Sequence, residues 1–469
     1  MSEKKPFIKL LRSPNGEYFY DVNRNEIVPI QKESYDYLEK LLEGSESKST
    51  SEVPSEISQL EMSGYLSGNH VKTIEHFYTP FLKDMLKNDL GSLCLQVTQN
   101  CNLRCEYCIY SESKNEKQRA HSSGRMSEGT MMRAIDYLQQ HSQNAQRITV
   151  SFYGGEPLLE FNLIKKAILY AEEEFEGRPL TFNITTNGTL LTKEVADFLF
   201  SHNTNISISL DGPKQIHDQH RRMKSEGSFD RLMHNMNYIV NSYPNEYKHM
   251  NISMVIDPQN SFNEIISVFD QYPFLREMTL MYSVIDDIYS NESNCYSAQY
   301  ITESQYHSFL GILYELNQLD KDALSAITAT EVDDSYESIQ KFRPSVTLGE
   351  KGAPTGPCLT GHRRLFCDIH GNLFPCERVS EKSKIMNIGT LDSGIDSNKC
   401  ISIINVAQST AAQCKDCWAF QFCHQCIRTA DGGDHIDSSQ RLSHCKNSRQ
   451  NAEHFLNHLI LLDEARRLY

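Results

Sequence analysis

Between residues 93 and 286, short apolar runs rich in β-branched and aromatic residues alternate with stretches whose apolar positions recur at helical spacing. That alternation of periods marks βα units and predicts a parallel sheet. Strands are expected at 93–98, 147–153, 180–185, 205–210, 251–256 and 278–283. Helices are expected at 128–141, 163–174, 193–202, 231–242 and 265–271, the last preceded by the capping box Ser261-x2-Glu264. Strands so connected form either an open barrel or a doubly wound sheet, and in both a ligand sits at the carboxyl ends of the strands. Ahead of this region, short strands at 8–12, 18–21 and 26–29 are broken by Pro14-Asn15-Gly16 and Asn23-Arg24-Asn25. A helix is expected at 34–42, a Ser- and Glu-rich loop at 43–56, and helical material at 57–62 and 71–86. Segment 287–350 reads as a helical bridge with a mobile loop near 331–338, and no internal repeat is visible.

A chain of 469 residues should divide into two to four units at ~100–200 residues each. No apolar run reaches the roughly 18 residues that cross a bilayer, so no membrane span is expected. The first thirty residues lack the apolar stretch and cleavage site of a secretory signal, which points to the cytoplasm. The net charge of -15 repels polyphosphate backbones, so nucleic acid is not an expected partner. Fourteen cysteines in a reducing compartment are not a disulfide framework, and metal ligation becomes the leading explanation.

Three cysteines form Cys101-x3-Cys105-x2-Cys108. Eight more, Cys358, Cys367, Cys376, Cys414, Cys417, Cys423, Cys426 and Cys445, lie in the last quarter. A fully ligated iron–sulfur cubane takes four thiolates, so eight suffice for two clusters, while three leave one iron open to a substrate or cofactor. Paired Cys-x2-Cys motifs also suit zinc. Cys94, Cys295 and Cys400 stand apart and are expected to be small buried hydrophobes. The polar motifs fall at the expected strand ends. The first strand runs into the cysteine triplet, the second into Gly154-Gly155-Glu156-Pro157, the third into Thr186-Asn187-Gly188 and the fourth into Ser209-Leu210-Asp211-Gly212-Pro213. These loops converge on one mouth, where exposed main-chain groups can bind an ammonium or a carboxylate. Asp211 is a candidate base or substrate contact, or else a turn residue.

The triplet with Tyr107, followed by Gly154-Gly155-Glu156-Pro157, resembles the radical S-adenosylmethionine (SAM) enzymes. The resemblance implies an α/β fold with a partial (β/α)6 barrel. In it, Cys101, Cys105 and Cys108 would hold a [4Fe-4S] cluster whose open iron is chelated by SAM. Gly154, Gly155 and Glu156 would take the methionyl amino group, and Ser209 with Arg221, in His217-Asp218-x2-Arg221, its carboxylate. Tyr107 would lie near the adenine, and Asn187 would line the same mouth.

Cys358-x12-Gly371-x4-Cys376, then Cys414-x2-Cys417-x5-Cys423-x2-Cys426 and Cys445, resembles the SPASM extension with two auxiliary [4Fe-4S] clusters. By that resemblance Cys358, Cys376 and Cys426, with Cys367 as fourth ligand, would hold the first, and Cys414, Cys417, Cys423 and Cys445 the second. The x2 spacing before Cys426 departs from the family's usual x3. The N-terminal strands and helices resemble a winged-helix-like precursor-peptide recognition element, which binds a leader peptide as an added strand.

The implied organisation is a recognition element at 1–85, a radical SAM barrel at 90–310, a bridge at 311–357, a SPASM domain at 358–450 and a C-terminal helix at 451–469. The whole resembles maturases of cysteine-rich peptides, the ranthipeptide, sactipeptide and freyrasin types, which install thioether crosslinks. The partners implied are a cysteine-rich precursor peptide and a reductant such as flavodoxin or ferredoxin. Peptide epimerisation, carbon–carbon crosslinking and formylglycine formation in sulfatases are the enzymatic alternatives. An iron–sulfur electron carrier or a zinc-stabilised peptide-binding module is the alternative outside catalysis.

Overall fold

The computed structural model describes residues 5–44, 53–110, 121–223, 226–290, 294–342 and 347–468. Most of the Ser- and Glu-rich loop read at 43–56 lies outside them. The six expected strands are present at Ser92–Thr98, Ile148–Gly154, Leu180–Thr186, Thr204–Ser209, Asn251–Ile256 and Thr279–Val284. All five pairings among them are parallel. Each new strand adds beyond the last, without reversal. A doubly wound sheet reverses at a switch point, so the strand order decides for the half-barrel. Leu93, Leu95, Val97, Ile148, Val150, Phe152, Phe182, Ile184, Ile206 and Ile208 form its core. Burial on both faces explains why the first strand reads as a nearly continuous apolar run rather than an alternating one.

The expected helices form on the expected residues or within two of them, except the last. Helix Glu128–His141 starts where the Ser127 hydroxyl accepts from the Thr130 amide. The Ser261 cap likewise accepts from Glu264 N at 3.2 Å, but the helix it starts is split into Phe262–Ile266 and Val268–Gln271. Three expectations are corrected. The 331–338 stretch is not a loop but part of helix Ala326–Lys341, capped by Ser325. Of 71–86 only the end is helical, in Leu82–Asn88, because Thr73–Ile74 pairs as a strand with Lys351–Gly352. Cys295 is exposed, whereas Cys94 and Cys400 are buried as expected.

The C-terminal cysteine region is joined to the barrel through one sheet. Strand Leu365–Cys367 pairs parallel with Ser92–Thr98, and an antiparallel meander through Asn372–Phe374, Gly389–Thr390 and Gly394–Ile395 follows. Helix Cys445–Leu468 closes the chain. At the other terminus β1 (Ile8–Arg12), β2 (Glu17–Asp21) and β3 (Glu26–Ile30) form an antiparallel sheet. Side chains alternate across it. Phe19, Ile8 and Ile30 pack on helices Lys32–Glu43 and Ser55–Met62. Leu11, Tyr18 and Tyr20 pack on Ala407, Phe420, Leu456 and Ile460 of the C-terminal region. The Tyr18 hydroxyl reaches Glu464 at 2.6 Å in that contact. Among the described residues no helix is long and apolar enough to cross a membrane.

Candidate active site

The first barrel strand ends at Thr98, and its cysteine loop lies directly over the end of the second. Gly155 N donates to Thr98 O and Glu156 N to Asn100 O, each at 2.9 Å. A Cβ on Gly154 would fall 2.1 Å from Thr98 O, and one on Gly155 2.1 Å from Asn100 O. Gly154 also has φ 140, a conformation that only glycine adopts readily. The two glycines therefore let the strand ends touch backbone to backbone. Glu156 is 1% exposed, and its carboxylate accepts from Leu158 N at 3.0 Å, the Thr186 hydroxyl at 2.7 Å and Asn187 N at 2.8 Å. Burial raises its pKa against those hydrogen bonds. The Glu156 side chain thus ties the second strand end to the third. The Asn187 amide continues the tie, donating to Asn102 Oδ1 at 2.8 Å beside the triplet.

Cys101, Cys105 and Cys108 lie near one another on the cysteine loop, the thiolates of Cys105 and Cys108 raising Cys101 and that of Cys108 raising Cys105. Burial pushes the Cys101 and Cys105 thiols up to about 12, with Arg221 opposing it at Cys105. Amides already point at sulfur, Leu103 N to Cys101 at 3.3 Å and Tyr110 N to Cys108 at 3.4 Å. Such N–H donors stabilise cluster thiolates. Three soft donors on one loop with an arginine beside them have the donor chemistry of a cluster with one open iron, although among the described residues no three His, Cys, Asp or Glu side chains stand close enough to hold a metal ion as they are.

Asp211 is 1% exposed and holds the fourth strand end together. Its carboxylate accepts from Arg221 Nε at 2.7 Å, Val255 N at 3.0 Å and the Tyr107 hydroxyl. Burial alone would raise its pKa, but the Arg221 charge and hydrogen bond, helped by His217 and Tyr107, hold it below the usual carboxylate range. A carboxylate so engaged is a poor base, and the candidate role as catalytic base does not fit this geometry. The Arg221 guanidinium lies 5.4 Å from the Tyr107 ring. Ser209 sits at the end of the fourth strand, 8% exposed.

The last quarter brings its cysteines into two groups. Cys414, Cys417, Cys423 and Cys445 line one cavity of about 200 Å3. Cys358, Cys376 and Cys426 act electrostatically on one another, and burial pushes the Cys376 thiol up to about 11. The structure does not bring Cys367 to that group. It is fully buried in its strand, its thiol directed to Asp368 O at 3.6 Å, with Asp368 and Arg133 as its charged neighbours. The strand alternation that packs Phe366 and Cys367 between two partners turns this thiol into the core.

Residues 95–271 match the family model of the radical SAM superfamily. This segment is a radical SAM domain. The cysteine-type anaerobic sulfatase-maturating enzyme of Clostridium novyi (strain NT) is 28% identical over 355 residues, 72% of this chain and 88% of that protein. The serine-type enzyme of Bacteroides thetaiotaomicron is 26% identical over 386 residues, 76% of this chain and 86% of that one. The solved structure of native anSMEcpe with bound AdoMet and Cp18Cys peptide aligns with a TM-score of 0.58 at 20% identity, covering 81% of this chain and 99% of that chain. The likeness shows the shared fold.

Two side chains of the radical SAM domain are visible only in three dimensions. Gln96, 0% exposed, donates to the Tyr110 hydroxyl at 2.8 Å and to Glu381 at 2.5 Å, fastening the C-terminal region to the mouth. His217 accepts from Asp211 N through Nδ1 at 3.4 Å and meets the Ser228 hydroxyl through Nε2 at 3.0 Å. Burial lowers its pKa to about 4. Below pH ~6.5 the unfolded chain binds a proton that folded His217 refuses, so stability rises with pH across this window. Between pH 7 and 5 the wild type is expected to lose about 2 kcal/mol that His217→Gln does not lose. Urea unfolding of both at the two pH values tests this, and equal losses would contradict it.

Proposed function

We propose that this chain is a radical SAM maturase that forms thioether crosslinks in a cysteine-rich precursor peptide. The mouth of the half-barrel is the SAM site. Cys101, Cys105 and Cys108 hold its [4Fe-4S] cluster, and carbonyls of the Gly154–Glu156 loop receive the amino group. Arg221, whose Nε is spent on Asp211, offers its remaining donors with Ser209 to the carboxylate. Asp211 and Glu156 position these groups and keep the strand ends in register. When bound, SAM and the clusters supply a 5′-deoxyadenosyl radical that takes one hydrogen from a peptide carbon, and accept the electron released as a cysteine sulfur bonds there with loss of its proton.

The observation that carries the reading is the division of the C-terminal cysteines into a four-thiol cavity and a separate group of Cys358, Cys376 and Cys426. A three-thiol cluster site keeps a position at which a peptide thiolate can be held, by the same logic that distinguishes open from closed metal sites. On this reading the chain carries three clusters, two of them auxiliary. The N-terminal sheet supports leader binding by strand addition at an edge. A ferredoxin or flavodoxin would supply the electron for SAM cleavage.

The relatives named as sulfatase-maturating enzymes favour a second reading, oxidation of a cysteine or serine to formylglycine. The anaerobic test is to add SAM, reductant and a cysteine-rich precursor peptide encoded beside the gene, then weigh the peptide before and after thiol alkylation. Two hydrogens lost per event, one from sulfur and one from carbon, with one fewer alkylatable thiol per event and all sulfur retained, is the expected result. Loss of sulfur would favour formylglycine from cysteine, unchanged mass with deoxyadenosine formed would favour epimerisation, and loss of two hydrogens with all thiols still alkylatable would favour carbon–carbon crosslinking or formylglycine from serine, which an aldehyde-specific label separates.

A further inference from the structure

Two arginines, Arg441 and Arg449, line the cavity of Cys414, Cys417, Cys423 and Cys445, and the buried one, Arg441, has no ion pair among the described residues. Arg441 is 1% exposed and lines the cavity. Among the described residues its buried Nη1 has no hydrogen-bond partner, and its Nε donates to the neutral Thr410 hydroxyl at 3.2 Å. Helix Ser438–Ser443, capped by the Asp437 carboxylate on Ser439 N and Gln440 N, holds Arg441 there. A guanidinium taken out of water without an anion costs several kcal/mol, so the arrangement calls for a negative occupant.

The hydrogen-bond directions point the same way. Arg441 Nε can only donate, so the Thr410 oxygen accepts, and its own hydrogen is shared between Cys414 Sγ, 3.2 Å away, and Ala407 O at 3.5 Å. The Gln425 amide donates to Cys445 Sγ at 3.7 Å from the other side. Around Cys358, Cys376 and Cys426, Arg364 pairs with Glu377 at 2.5 Å and Arg428 with Asp286, though Arg428 keeps a buried Nε without a hydrogen-bond partner among the described residues, and Arg363, which also acts on Cys358, is exposed to solvent.

We propose that Arg441, with Thr410 and Gln425, is the charge partner of the cluster held by these four cysteines and makes it the more readily reduced auxiliary cluster, the acceptor of the electron released in crosslinking. The inference rests on the auxiliary-cluster reading above. Adding one electron adds one negative charge, which a fixed buried cation and N–H and O–H donors to sulfur stabilise, and no proton need accompany it.

The test starts from the full chain with Cys101, Cys105 and Cys108 changed to Ala, reconstituted with iron and sulfide without oxygen. Iron content and a redox titration followed by electron paramagnetic resonance are the readouts. Arg441→Gln is expected to load the same iron and shift one of the two auxiliary transitions downward by about tenfold in its reduction equilibrium, ~59 mV for a one-electron couple. Arg441→Lys is expected to keep the parent value, and Gln425→Leu to shift the same transition in the same direction by less. A fully loaded Arg441→Gln protein with both transitions unmoved overturns the inference. If Arg441→Gln fails to load, an unmoved transition in Gln425→Leu overturns it instead. A parent that takes up zinc or no iron fails the cluster reading itself, before any of the three variants is made.

Discussion

Cys105→Ala is expected to bring 5′-deoxyadenosine formation down to background while leaving the C-terminal clusters in place. The expectation follows from the donor count: the site has three cysteine thiols in mutual electrostatic contact, and Cys105 stands between Cys108, Arg221 and Asp211. With two thiolates left, the cubane loses a second iron's ligand and cannot be retained. The small side chain left behind lies in a loop anchored by Glu156 N on Asn100 O and Arg104 N on Arg222 O, so the fold should persist. Two measurements separate loss of the site from loss of the protein. Iron analysis should fall by roughly four per chain, and circular dichroism should be unchanged. Deoxyadenosine at the wild-type rate would sink the assignment of this triplet.

Asp211→Asn is expected to destabilise the barrel by about 3–5 kcal/mol, the usual cost of leaving one member of a buried ion pair uncompensated. Arg221 is 8% exposed and loses the carboxylate that holds its Nε, while the new amide presents N–H groups to a pocket already filled with donors from Val255 and Tyr107. The pH dependence carries the sign of a depressed carboxylate. The pair's stabilisation is complete above the unfolded Asp value near ~4 and is lost as pH falls through the lower folded value. The variant should lack that acid limb. Denaturant midpoints at pH 7 and pH 3 for both proteins test the claim, and a loss under ~1 kcal/mol at pH 7 would mean that Arg221 finds another partner. Because Arg221 is also proposed to meet the SAM carboxylate, calorimetric SAM affinity should fall in the same variant.

The barrel was legible because its strands and helices have different periods and lengths that the chain repeats, and because each motif follows a strand. Short elements were not. Strand Leu365–Cys367 has three residues, too few for any period, and exists only because the edge of Ser92–Thr98 offers it a partner. Helix Ala326–Lys341 was misread as partly loop because Asp333, Asp334, Ser335 and Ser338 look like solvent-facing loop composition. Its Ser325 cap and the packing of Ile327 and Val332 outweigh that composition.

The sequence by itself determined the chemistry on offer: a thiol triplet at a strand end, glycines in the next loop and eight more cysteines near the C-terminus. Spacing along the chain suffices for that, because the triplet's ligands are only a few bonds apart. Tertiary structure alone decided which distant groups meet. It turned Cys367 into the core and set Arg441 against the cavity of Cys414 and Cys445 with no ion pair among the described residues. It also locked Asp211 between Arg221, Tyr107 and Val255, residues drawn from three separate elements. The physical reason is that a side chain's partners and solvation, and hence its protonation and charge balance, depend on what packing brings within a few ångströms, and local sequence does not encode those contacts.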